Sequence, residues 1–215
     1  MSSRPHVASD LSGLAGSHRV LQQRIDRDTA AERLSAPGFW KTLARRPRQP
    51  LRLELVYLPY RQATAQVRYR EAGRDVQRTV SCLVCANTGL AFRFDPTRVA
   101  LEDGPQGDPL SARLDSDELD RRALDYLQRW TASARRARGA RLDGPPAVED
   151  RAYPIWLAIY ERRAGTLDVE GVDAITGVRI GSATRQALLL ALAVTPADAP
   201  AAGEPHMQGA HTTNG

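Results

Sequence analysis

The stretch LRLELVYLPY, from Leu51 to Tyr60, restricts the fold of this chain more than any other. Leu51, Leu53, Leu55 and Tyr57 fall on one side of an extended backbone, with Arg52 and Glu54 on the other. This is the period-two pattern of a strand with one face buried. The alternation continues through TAQVRYREAGRDVQRTVSCLVCANTGLAFRF and is broken at Ala72-Gly73 and again at Asn87-Thr88-Gly89. Together these segments predict an antiparallel meander.

Helical spacing occurs on both sides of that meander. Val20, Leu21, Ile25 and Leu34 predict a modest helix over 19–34, and FWKTLARR a short one before Pro47. The strongest helical pattern begins at Asp115, with Glu118 as its capping partner, and runs through Leu119, Ala123, Tyr126, Leu127, Trp130 and Ala134. It is expected to fray into SARRARGAR. Then YPIWLAIYERR, TLDVEGVDAITG and VRIG read as three further strands, and Ser182 as the cap of a last apolar helix, ATRQALLLALAV. The Pro/Gly-rich stretch DGPQGDP separates the two halves. The expected organisation is a disordered terminus over 1–18, an α+β module over 19–102, a linker over 103–114, a second α+β module over 115–195 and a disordered tail over 196–215.

The halves match in kind. Each has a Trp-bearing helix (Trp40, Trp130), an aromatic-proline strand (YLPY, YPIW), and a strand ending in a glycine turn (CLVCANTG, GVDAITG). Pro59 corresponds to Pro154 and Gly89 to Gly177. The fold class expected is therefore α+β, a tandem repeat of two helix-plus-antiparallel-meander modules. In the turns, Asn87, Thr88 and Thr176 supply local side-chain hydrogen bonds, and Gly89 and Gly177 supply a positive φ. These residues are read as structural. A proline in such a strand removes a ladder donor and is expected at a strand start or an edge.

The combination of YPIWLAIYER and VDAITG resembles PepSY-type modules, which carry a helix, an aromatic-bearing first strand and a terminal V-D-x-x-T-G hairpin. The resemblance covers Tyr153 to Ile180 and, more faintly, Tyr57 to Phe92. It implies a binding or inhibitory module of the kind often found on extracytoplasmic proteins and peptidase propeptides. The chain departs from that pattern: no signal peptide and no fused peptidase are read in it, and Cys85 stands where the second half has Asp173.

Cys82 and Cys85 are the only cysteines, spaced as C-x-x-C. On a strand, side chains three apart point to opposite faces, so the pair could neither share a zinc ion nor close a disulfide. A redox pair would need a helix start. The four histidines, His6, His18, His206 and His211, all lie in the terminal segments. No nucleophile elbow, S-x-x-K or phosphate-binding loop occurs. Asp115, Asp117, Glu118 and Asp120 cluster where a helix start favours negative charge, and Asp168, Glu170 and Asp173 read as the outer face of a strand. The expectation is a protein without catalytic, cofactor-binding or metal-binding residues.

The 215 residues carry a formal charge of +5, and Lys41 is the only lysine. Arginine's planar fork suits phosphate and carboxylate recognition. Arg45, Arg46 and Arg48 form one cluster and Arg135, Arg136, Arg138 and Arg141 another, each read as following a helix. Cations favour a helix C-terminus in any case; the functional alternative is a patch for an acidic partner or nucleic acid. No apolar run reaches the ~20 residues that span a bilayer, and a cytoplasmic location is expected. The leading functional reading is a non-catalytic protein-binding or scaffold protein of a bacterial cytoplasmic system with an unidentified protein partner. The second is an arginine-rich nucleic-acid-binding protein, and the third an enzyme of unknown class.

Overall fold

The computed structural model describes residues 19–35, 49–103, 109–133, 138–161 and 166–193. In chain order these form β1 (Arg19–Leu21), α1 (Arg27–Ser35), β2 (Arg52–Glu71), β3 (Arg74–Cys85), β4 (Ala91–Phe94), β5 (Leu101–Asp103), α2 (Ser116–Ser133), β6 (Arg138–Leu142), β7 (Ala147–Glu161), β8 (Leu167–Asp173) and α3 (Ser182–Ala193). The strands make one sheet in the order β4-β3-β2-β7-β1-β5, with β6 also paired to β2 and β8 to β7. The antiparallel pair β2–β7 is its spine, with Leu58 opposite Tyr153. Strands of both halves thus share one sheet. It is mixed and not purely antiparallel, because β1 runs parallel to β7.

Alternation decides what each face meets. Leu58 and Tyr60 of β2, Leu83 and Cys85 of β3, and Ile155 and Leu157 of β7 form a core on one face, covered by Ala187, Leu188 and Ala191 of α3. The opposite face carries two cores. Ala63, Ala65 and Val67 lie with Cys82 under Leu119, Ala123 and Leu127 of α2. Trp156, Ala158 and Tyr160 lie under Ala30 and Leu34 of α1. Each helix therefore covers the hairpin of the other half: α1 packs on β7 and β8, α2 on β2 and β3.

The two hairpins close with the same hydrogen bonds. After β3, the Gly89 N–H donates to Cys85 O at 2.8 Å and the Cys85 N–H to Leu90 O at 3.0 Å; after β8, the Gly177 N–H donates to Asp173 O at 2.8 Å and the Asp173 N–H to Val178 O at 2.9 Å. The segment leading into each helix docks on the next residue of the turn. The N–H groups of Arg24 and Ile25 donate to Ala174 O, and those of Arg113 and Leu114 to Ala86 O. Asp26 Oδ1 then accepts from Thr29 N, and Asp115 Oδ1 from Glu118 N, both at 2.8 Å, capping α1 and α2.

Several local expectations are corrected. The helix expected over 19–34 is a strand at Arg19–Leu21 followed by a shorter helix, because Val20 and Leu21 bury in the sheet. The end of SARRARGAR is a strand and not the fraying end of a helix, while 134–137 lie outside the described residues. α2 ends at Ser133, and Arg138 to Leu142 pair with β2, with Gly139 at a φ of +70°. VRIG contributes only an isolated bridge from Arg179 to Val172. The final helix begins at Ser182 itself, and its first backbone acceptor is Gly181 O, bonded by the Arg185 N–H at 3.0 Å.

Pro59 and Pro154 sit inside long strands instead of at their starts. Pro59 stands one residue before the ladder to β3 begins at Tyr60, and Pro154 stands in the gap between the pairing with β1, which reaches Ala152, and the ladder to β8, which begins at Ile155. The missing N–H is tolerated there, and the proline carbonyls accept from Ala86 and Ala174.

Trp40, FWKTLARR, the histidines and the termini over 1–18 and 196–215 lie outside the described residues. Among the described residues, no helix is long and apolar enough to cross a membrane.

Candidate functional site

Cys82 and Cys85 lie on opposite faces of β3, one under α2 and the other in the α3-covered core. Both are buried free thiols. Burial pushes the Cys82 thiol up to about 11 from an ordinary value of 9.0. The Tyr60 and Tyr153 hydroxyls are also pushed well up, burial being the larger cause in each, and Tyr153 donates to Asp173 Oδ2 at 2.8 Å. These groups are neutral members of the interior. Among the described residues, no group of three or more His, Cys, Asp or Glu side chains is placed to hold a metal ion.

The two hairpin turns share their backbone geometry. Gly89 and Gly177 have φ values of +70° and +71°. Thr88 Oγ1 and Thr176 Oγ1 accept from the N–H two residues on, at 3.4 and 3.3 Å. Asn87 departs from the expectation of a local hydrogen bond: it is buried, and neither of its amide atoms has a partner among the described residues.

Of the arginines singled out, Arg45, Arg46, Arg48, Arg135 and Arg136 lie outside the described residues. Arg138 and Arg141 are on β6, opposite Arg70 and Arg68 of β2. Sequence reading missed Arg68 and Arg70. Their signal is the alternation QVRYR, in which Val67 and Tyr69 bury and the arginines between them are exposed.

A second arginine surface lies beside the sheet edge. β4 ends the strand order, with β3 as its one partner among the described residues. A groove of about 820 Å3 runs between the start of β4 and α2, lined by Arg121, Arg122, Arg129, Tyr126 and Trp130. Arg93 of β4 places its guanidinium 5.9 Å from the Trp130 ring. Glu118 accepts from Arg121 and Arg122; these two, Arg121 first, hold its carboxyl below the usual carboxylate range. Arg129 donates to a backbone carbonyl, Asp125 O, at 3.3 Å. Among the described residues, Arg93 and Arg129 form no ion pair. The groove combines exposed guanidinium groups, two aromatic rings and an open strand edge.

No family model, curated protein or solved structure matches the chain.

Proposed function

We propose that this is a non-catalytic binding protein, built as a tandem of two related α+β units, that takes up an extended acidic segment of a partner protein along β4. The observation that carries the reading is the open edge of β4 beside the arginine and aromatic groove. An unpaired strand edge presents N–H and C=O groups that a polypeptide satisfies by adding a strand. Arg93, Arg121 and Arg129 select acidic side chains on that strand, and Trp130 and Tyr126 provide apolar area next to them. The matching hydrogen bonds at Cys85–Leu90 and Asp173–Val178 support the tandem. They agree with the resemblance to PepSY-type modules, whose role is binding.

The test uses the full chain and a fluorescent ten-residue peptide of alternating Glu and Val, followed by anisotropy. Binding is expected, with a loss of at least tenfold in the Arg93→Gln/Arg129→Gln variant. Methylation of alternate backbone nitrogens in the peptide is expected to abolish it. Equal binding of the methylated and unmethylated peptides, or no binding by the wild-type chain, would reject the β4 edge as the docking site.

A further inference from the structure

The far end of the sheet has one covered face and one bare face. Val67, Tyr69, Val80 and Leu142 turn toward α2. Their strand neighbours Gln66, Arg68, Arg70, Gln77, Thr79 and Arg141 are all exposed on the other side. α3 covers that same face only further back, over Leu58, Leu83 and Leu157.

The charges on the bare face are arranged against its own stability. Arg68 stands directly opposite Arg141. Like charges facing each other across strands are destabilising. Asp143 offsets part of this, accepting from Arg68 Nη2 at 2.8 Å and from Gln77 Nε2 at 3.4 Å. Asp75 lies opposite Arg70 in the register, yet among the described residues neither Arg70 nor Arg141 is in an ion pair. An anion from outside relieves the repulsion.

We infer that this face binds the phosphate backbone of single-stranded nucleic acid. Guanidinium forks pair with phosphate oxygens in bidentate fashion. Gln66 and Gln77, whose Nε2 groups bond Thr79 Oγ1 at 2.9 Å and Asp143 Oδ2 at 3.4 Å, each keep a second amide hydrogen for a phosphate oxygen between the charges. Arg68 and Arg70 are about 6.7 Å apart along the strand, and the three strands span about 10 Å. That is the width of one backbone track, and too narrow for the two strands of a duplex. Among the described residues, no aromatic ring stands between Arg68, Arg70 and Arg141: Phe94, opposite Ser81 on this side of the sheet, packs against the α3-covered core, Phe92 packs edge-on against Tyr60, and Tyr69 turns inward under Arg78. The bases therefore find no stacking platform, and recognition is independent of sequence and steeply dependent on salt. This surface lies on the opposite side of the sheet from the α2 groove, and the inference stands apart from the peptide reading.

The test is anisotropy of labelled twenty-nucleotide thymidine and mixed-sequence single strands against the full chain, between 50 and 200 mM salt. Both strands are expected to bind alike. The Arg68→Gln/Arg70→Gln/Arg141→Gln variant is expected to bind at least tenfold more weakly, with a slope of log affinity against log salt smaller by about 2, since each phosphate contact contributes about 0.7 for a single strand. Asp143→Asn, which removes the internal competitor for Arg68, is expected to bind at least twofold more tightly. Arg121→Gln/Arg129→Gln, on the other side of the sheet, is expected to bind like wild type. Four results would each overturn the inference: no salt-dependent binding, an equal loss in the groove variant, tighter binding of the matching duplex, or polyglutamate competing as well as the oligonucleotide.

Discussion

Arg122 lies across Gly89 so closely that a Cβ on the glycine would be 2.6 Å from the guanidinium carbon. Arg33 stands in the same relation to Gly177, where the distance is 2.7 Å and Arg33 Nη1 donates to the glycine carbonyl at 2.6 Å. Both glycines have positive φ, which costs a residue with a Cβ about 1–2 kcal/mol. Gly89→Ala and Gly177→Ala are each expected to lower unfolding free energy by about 2 kcal/mol, with the arginine end swinging aside in both. Urea denaturation measures this. A loss at one turn and none at the other would count against two equivalent turns.

Asn87 occupies the turn position that Ile175 occupies after β8, and Ile175 packs in the α3-covered core. Asn87 is equally buried and its amide has no described partner. An unsatisfied buried polar group costs about 1–3 kcal/mol. Asn87→Val, closer to asparagine in volume than isoleucine and at a position where Ile175 shows that the equivalent turn accepts a β-branched residue, is therefore expected to raise the unfolding free energy by about 1 kcal/mol. A destabilised variant would mean that Asn87 has a partner in solution.

The sequence made the elements legible where its signals agreed. Alternation located β2, β3 and β7, and the period-two rule alone placed Cys82 and Cys85 on opposite faces. Asp115 and its helix were equally clear. Short strands were not: Arg19–Leu21, Leu101–Asp103 and Arg138–Leu142 have three to five residues each, too few to show a period. Nothing in local pattern could reveal the crossed arrangement of α1 and α2, because both helices have ordinary apolar stripes and the choice of hairpin is made by the docking of Ile25 on Ala174 and of Leu114 on Ala86. The arginine face stayed hidden for the same reason. Arg68 and Arg141 are far apart in the chain, and only the β2–β6 register sets them opposite.

Arg61 joins α2 to the sheet. Its Nε donates to Asp120 Oδ1 at 2.7 Å and its Nη1 to Asp150 Oδ1 at 2.8 Å, and its side chain is only 14% exposed. Asp120, then Asp150, holds the guanidinium pKa above its ordinary value against the opposing effect of burial. Arg61→Met leaves two carboxylates facing one another, each more than a third exposed. The expected cost is about 2 kcal/mol, below the 3–5 kcal/mol of a fully buried pair because water reaches both acids. Arg61→Met/Asp120→Asn should recover about half of it, and a double-mutant cycle by urea denaturation measures the coupling. Additive single effects would show that the bridge contributes nothing.

The buried thiol and phenols make stability fall on the alkaline side. The Cys82 pKa is about 11 when folded and about 9 as a model thiol. Below pH 9 both folded and unfolded chains hold the proton, and the stability linked to it is fully present. Between pH 9 and 11 the unfolded chain releases the proton while the folded chain retains it, so unfolding becomes progressively easier. Tyr60 and Tyr153 are shifted in the same direction and extend the loss above pH 10. The urea midpoint is expected to be flat from pH 7 to 8.5 and to fall steeply from pH 9 to 11, with a shallower fall between pH 9 and 10 in Cys82→Ala. At pH 7.5, a thiol reagent is expected to label neither cysteine until the chain opens, and to label both in denaturant. Oxidation of the folded chain should leave both thiols free, because the sheet lies between them. Rapid labelling of Cys82 under native conditions, or a midpoint insensitive to pH above 9, would contradict the burial on which this rests.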